Sequence, residues 1–324
     1  MRRRTLAALV FAFGCSIAPL ESRAEGGAIH AEMQRAIAVL QESKGPEAYA
    51  ALRELWRTWD RGDPQHVEEA IAAYAENPKI SAPLRVYAEL LQAYARRRRG
   101  DLDGASMRIQ KLGFVHQWLT LGPFENENKS GFLEAYAPEQ EMGEPISETR
   151  AYDGKERAIK WRLPPQGAAF GWFDFGDLMR PRENICAYAT TFVRSREASK
   201  SPRNISLWMG ASGAFKVFWN GNNVLEDSGY RSLDIDRSAA VQTLLPGNNR
   251  LTVKVCGTTD APKFSLRIGD ETGAPASDLV FEASFLASLS KAPALKEQTP
   301  SQKTPPKIKT PPTDTRRGAR QAGG

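Results

Sequence analysis

Cysteine and histidine are scarce, at three residues each in 324. No CxxC pair and no HExxH spacing occurs, so the sequence offers none of the usual zinc signatures. His30 and His66 fall in helix-like stretches and His116 at the boundary that follows them. None stands in a Ser/His/Asp or Cys/His grouping that would mark nucleophilic catalysis. Long apolar runs are missing too. The longest, Leu6 to Ala18, has about 13 residues, short of the roughly 20 a membrane helix needs. A charged body is also lacking. The net charge of +6 sits at the ends, with +3 in residues 1–24 and +6 in 291–324, which leaves −3 for 25–290. That body gives no reason to expect nucleic-acid binding.

What is present at the start is a leader. Arg2, Arg3 and Arg4 precede the apolar run, and Ser22-Arg23-Ala24 puts small residues at −3 and −1 of a cleavage site. This predicts a signal peptide over 1–24, cut after Ala24, and a chain exported to the periplasm or beyond with no transmembrane span left. A lipid anchor at Cys15 is the alternative. It has Gly14 before it, but Phe13 and Ala12 fit that pattern poorly. Removing the leader leaves Cys186 and Cys256, both in strand-like segments of a compartment that permits disulfides. A bridge and two buried thiols are both open readings at this stage.

Residues 25–112 carry apolar side chains at helical spacing, broken by Gly45-Pro46, Asn77-Pro78 and Pro83. Leu52, Leu55, Trp56 and Trp59 form one stripe; Leu84, Tyr87, Leu90, Leu91 and Tyr94 form another. Such short helices cannot stand alone and predict stacked helical hairpins. The run Arg96–Arg99 reads as a solvated helix end, where cations favour the dipole.

From 113 to 276 the pattern becomes one of strands. Trp118-Leu119-Thr120-Leu121 is β-like and Gly122-Pro123 is expected to stop it. Ile205, Leu207 and Met209 share one face, as do Phe215, Val217 and Trp219 before the hairpin dipeptide Asn220-Gly221. Leu251, Val253 and Val255 line another strand. Regular short strands with turns predict an antiparallel sandwich, and the chain as a whole an α+β multidomain fold. Residues 277–290 are expected to hold a short helix. The stretch 291–324, with six Pro and eight Lys or Arg, cannot bury enough surface to order itself and reads as a disordered basic tail.

The segments Trp118–Phe132, Ala187–Thr190, Gly210–Gly213, Lys216–Gly221 and Leu245–Val255 occur in the order found in galactose-binding-like jelly-roll modules. Over about 115–272 the chain resembles such modules of secreted bacterial envelope proteins, which add tetratricopeptide repeats and a transglutaminase-like domain. Gly100-Asp101-Leu102 with Ala105 and Leu112 resembles a degenerate unit of that repeat. The module family also supplies the sugar-binding domain of some glycoside hydrolases. Phe218-Trp219 departs from the pattern, in which Trp precedes an aliphatic residue.

The resemblance implies a ligand held by stacking on aromatics and by nearby polar groups. Candidates are Trp172, in a loop-like segment, with Tyr230 and Arg231 in another, and Trp208 on a strand, where packing on the second sheet is the simpler role. Asp227, Asp234 and Asp236 could hold a structural calcium, with Asp234 and Asp236 alternating on one face of an extended stretch. No other cofactor is expected. The sequence thus predicts a non-catalytic binding or scaffolding protein of the cell envelope, taking a glycan or an envelope protein as partner. The rival reading is the front part or accessory subunit of a secreted transglutaminase-like protease or glycoside hydrolase.

Overall fold

The computed structural model describes residues 20–165, 167–197 and 201–289. The leader through residue 19, with Cys15, and the basic tail lie outside the described residues; Ala24 falls within the first helix. Among the described residues no helix is long and apolar enough to cross a membrane.

Five helices open the fold: α1 (Leu20–Glu42), α2 (Pro46–Arg57), α3 (Pro64–Glu76), α4 (Ala82–Arg98) and α5 (Leu102–Lys111). Proline at the first turn of α2, α3 and α4 presets φ where no N–H partner is needed. The Asp63 carboxylate caps α3 by accepting from the Gln65 and His66 amides, and Asp101 caps α5 through Gly104. Ala48, Leu52 and Leu55 of α2, Val67, Ile71 and Tyr74 of α3, and Leu84, Tyr87 and Leu91 of α4 share one core. Helix α4 is buried on a second face as well. Val86, Leu90 and Ala93 join Ile109, Leu112 and Phe114, with Phe170 and Ile235 packed against them. The helices therefore share a core with residues that belong to the sandwich.

The strands are β1 (Leu119–Glu125), β2 (Tyr152–Asp153), β3 (Ala158–Ile159), β4 (Phe173–Asp174), β5 (Ile185–Ser195), β6 (Arg203–Ser212), β7 (Ala214–Trp219), β8 (Asn222–Asp227), β9 (Ser238–Leu244), β10 (Asn249–Gly257), β11 (Lys263–Asp270) and β12 (Leu279–Glu282). A short helix α6 (Ala137–Gln140) lies between β1 and β2. One sheet runs β1-β5-β10-β7-β8 with β12 also on β5, the other β4-β11-β6-β9, and β2 pairs β3 as a ribbon. Pairing within both sheets is antiparallel. Ala187, Ala189, Val217, Leu251, Val253 and Val255 from the first sheet meet Ile205, Leu207, Met209, Phe264, Leu266 and Ile268 from the second. The result is a sandwich filled by period-two side chains.

Two expectations need correction. Gly122-Pro123 does not stop β1: the strand continues to Glu125 across a cis bond, with a bulge between Leu121 and Phe124 that absorbs the proline. Residues 277–289 do not form an α-helix. Leu279–Glu282 pairs with β5, so the chain spends its backbone bonds on the sheet, and only Ala287–Leu289 turns helically, as a 3-10 turn. Trp219 is buried like any core residue, its indole donating to the Thr243 carbonyl.

The outer face of the first sheet is also dry. The segment from 127 to 161 folds across it, placing Phe132, Ile146, Tyr152, Ile159 and Trp161 on Cys186, Tyr188 and Phe192. Two buried cations of β10 pin this cover. Lys254 donates to the Glu139 carboxylate and the Glu134 carbonyl, and Arg250 to the carbonyls of Glu141, Met142 and Glu144. Burial lowers the Lys254 ammonium pKa, against the pull of Glu139. Beneath the cover Cys186 and Cys256 face each other in register across β5 and β10 and form a disulfide, their Cα atoms 4.0 Å apart. Gly131 crosses above it so closely that a Cβ there would sit 2.7 Å from Cys186 Sγ.

Candidate functional site

The β8–β9 loop, residues 228–237, settles on β6 because Gly210 has no side chain: a Cβ there would meet the Asp234 carbonyl at 2.1 Å. This close approach carries Asp234, Asp236 and Arg237 to the edge of α2. Together with Trp208 of β6, Asp227 at the end of β8, Tyr49 and Arg53 of α2, and Pro83 and Leu84 of α4 they line a cleft of about 710 Å³. It lies where the helices meet the sandwich.

Asp236 forms the base of the cleft. Its side chain is 1% exposed and its backbone is left-handed, with φ 59°. Oδ2 accepts from Arg267 Nε at 2.7 Å, while Oδ1 has no hydrogen-bond partner among the described residues. The Tyr49 hydroxyl is likewise buried and without a partner among the described residues. A buried polar atom left unpaired costs about 1–3 kcal/mol and calls for a reason. Burial raises the Asp236 carboxyl pKa, with Arg267 pulling the other way. Burial, with Asp236 adding to it, raises the Tyr49 phenol, so Tyr49 remains a donor at neutral pH.

Trp208 is half-buried. The Arg267 guanidinium lies 4.6 Å from its ring centroid and its indole donates to Ser206. The rim is a chain of ion pairs. Arg53 reaches Asp234 at 2.7 Å, with its guanidinium 5.9 Å from the Tyr49 and 5.6 Å from the Tyr87 ring centroid. Arg237 reaches both Asp234 and Asp227, at 3.6 and 3.8 Å, and Arg231 holds Asp227 at 2.7 Å.

The structure thus brings Trp208, Asp227, Asp234 and Asp236 into one place, with Arg231 paired to Asp227 beside them, and leaves Trp172 and Tyr230 apart. The calcium arrangement does not hold. Residues 228–237 are a loop with a turn at 235–236, not an extended stretch, so Asp234 and Asp236 do not alternate on one face. Each of the three carboxylates bonds arginine, and among the described residues no group of three or more acidic, His or Cys residues could hold a metal. These residues do not fit a calcium ion, which wants six to eight oxygens not already paired with cations.

Tyr230 and Arg231 line a second cleft, of about 530 Å³, with Ser212, Thr258 and Asp260. The Tyr230 hydroxyl exchanges hydrogen bonds with the Asn126 amide, and the Lys129 ammonium sits 4.8 Å from its ring centroid. Trp172 lies in a third cleft, with Trp56, Tyr94, Arg97 and Arg98. Tyr49 and Arg53 escaped the sequence reading. Their one signal is an i, i+4 aromatic–cation pair off the Ala48-Leu52-Leu55 stripe.

No protein-family model matches the chain, and no curated protein matches it. Several solved structures resemble part of it. The PA14 sugar-binding domain from an RTX adhesin is 12% identical, covering 52% of this chain and 99% of that one, with a TM-score of 0.29. The PA14 domain of an antifreeze protein is 13% identical over 31% of this chain and 52% of that one, at 0.25. A β-glucuronidase from Faecalibacterium prausnitzii is 12% identical over 44% and 21%, at 0.26. The chain spans about half of the antifreeze domain and about a fifth of the glucuronidase. At these scores the likeness carries no argument about ligand or reaction.

Proposed function

We propose that this is an exported, non-catalytic carbohydrate-binding protein of the cell envelope, with a galactose-binding-like sandwich whose glycan lies in the Trp208 cleft. One observation carries this reading: Asp236 and Tyr49, whose Oδ1 and hydroxyl are buried with no hydrogen-bond partner among the described residues, line one cleft that Trp208 walls. Sugar hydroxyls both donate and accept, so neighbouring hydroxyls complement such a pair, while an indole covers the apolar face of the ring. The Arg53–Asp234 and Arg237–Asp227 pairs add charged partners at the rim. In support of binding without turnover, the Gly229 amide and Arg231 hold Asp227 below its ordinary value, which opposes service as a proton donor. The helices, in this reading, close one wall of the site and present their outer face to an envelope protein.

The test is a glycan array with the full chain, followed by calorimetry on whichever sugar binds. Tyr49→Phe removes only an unpaired hydroxyl, so it should weaken binding about tenfold with the melting temperature unchanged or raised. Binding indifferent to Tyr49→Phe and to Trp208→Ala would remove the cleft from the function. Release of product from the bound glycan would favour the secreted-enzyme reading instead.

A further inference from the structure

The third cleft has a chemistry of its own. It is about 340 Å³ in volume, lined by Trp56 of α2, Tyr94, Arg97 and Arg98 of α4, and Trp172 at the entrance to β4. Its walls are aromatic. Trp56 lies 5.9 Å from Trp59 and 6.4 Å from Tyr94, centroid to centroid. The cations are held in place by rings. Arg98 lies 4.5 Å over Trp56, Arg97 4.3 Å over Phe170, and Lys263 5.5 Å over Trp172.

The pairing of these groups is uneven. In the run Arg96–Arg99, three residues have a carboxylate: Arg96 has Asp101, Arg98 has Asp60 and Arg99 has Glu68. Arg97 has none among the described residues. The indoles of Trp59, Trp118, Trp208 and Trp219 donate to named acceptors, and Trp161 bonds Tyr152. Trp56 and Trp172 have no hydrogen-bond acceptor among the described residues, and both line this cleft. Among the described residues no carboxylate lines it. The Tyr94 hydroxyl spends its proton on the Phe170 carbonyl, which fixes the helix against the Trp172 loop and leaves the oxygen as an acceptor.

A cleft so built offers flat apolar walls, free N–H donors and an uncommitted guanidinium. Its complement is a ring with an apolar face, many acceptors and a negative charge. We infer that the Trp56–Trp172 cleft is a second binding site, for a sugar ring that carries a carboxylate. Arg97 takes the carboxylate, for which the planar guanidinium is the best-matched side chain. Trp172 stacks on the sugar ring, and the Trp56 indole N–H, in the plane of a ring whose face Arg98 covers, donates to one of the sugar's oxygens. The neutral, mixed donor–acceptor Trp208 cleft has the opposite bias, so the two sites would read different sugars, and this one stands whether or not the other binds.

The probe is trigalacturonate against its methyl ester, which keeps the rings and removes the charge, titrated into the full chain with tryptophan fluorescence as the readout. The acid should bind and quench, the ester should bind about tenfold more weakly or worse, and added salt should narrow the gap. Arg97→Gln, at an exposed helix position, should abolish the preference for the acid without lowering the melting temperature. Trp172→Ala should abolish binding of both probes, and Tyr49→Phe should change neither. Equal binding of acid and ester, no binding of either, or acid binding that survives both Arg97→Gln and Trp172→Ala would overturn the proposal. Quenching by inorganic sulfate as strong as by the acid would also overturn it, reducing the site to a general anion hole.

Discussion

The helical region and the sandwich bury apolar residues to a similar depth but secure themselves in different ways. The sandwich closes on itself. Its two sheets share one core, its outer face has a second under the 127–161 cover, and a disulfide joins its two central strands. The helices have one core of their own, and α4 spends its second face on α5, Phe114, Phe170 and Ile235. The comparison teaches that the sandwich is the scaffold and the helices a wall built against it. Both tryptophan clefts lie along that seam, so neither exists in either part alone.

Breaking the scaffold should have the largest effect. Cys186→Ala with Cys256→Ala opens a loop spanning 70 positions and should cost about 4 kcal/mol, read by chemical denaturation. Helical and strand signals should then be lost together, since the seam depends on the sandwich. Separate transitions would mean that the helices stand independently. Breaking the wall comes next. Leu90→Ala, on the seam face of α4, should cost about 3 kcal/mol and be felt first in the helical circular dichroism. Asp63→Ala removes the α3 cap and should cost about 1 kcal/mol, confined by hydrogen exchange to the helices.

The smallest effect is a pH dependence that belongs to the sandwich. The Gly229 amide and Arg231 hold Asp227 below its ordinary value; in Asp278, hydrogen bonds from Arg203 and Ser195 outweigh the opposing effect of burial. A lowered carboxylate stabilises the fold above its unfolded pKa, about 3.9, and the benefit is lost as pH falls through the folded value. Asp236, raised by burial, works in the opposite sense. Melting temperatures should therefore drop modestly below about pH 4, and the drop should shrink in Asp278→Asn.

Much of the fold could be read locally. Prolines and glycines punctuate the helices where the sequence puts them. Asn220 and Gly221 take the positive φ values, 50° and 88°, that a two-residue hairpin demands. The inward positions of β6, β7 and β10 follow from alternation. What was hidden depends on partners distant in sequence. Arg250 and Lys254 alternate with Leu251, Val253 and Val255 and look solvent-facing, yet they are buried because the carbonyls that satisfy them come from residues 134–144. β12 was missed for the same reason: Val280 and Phe281 lack a strong period, and only pairing with β5 makes them a strand. The clefts were half-legible. Trp208 and the three aspartates belong to one site, but Tyr49 and Arg53 come from the helical region, and no spacing along the chain announces that meeting.

The first and last strands of the sandwich also determine how it would respond to being pulled. β1 enters with Leu119 opposite Thr190, and β12 leaves with Glu282 opposite Phe192, so both load points lie near the middle of β5. Tension applied at these two points works on one hydrogen bond at a time from that middle outward, unzipping β1 toward Ile185 and β12 toward Ser195. The Cys186–Cys256 bond ties β5 to β10, not to either departing strand. A stretched molecule would shed its flanks while its centre stayed shut, yielding in steps without coming apart.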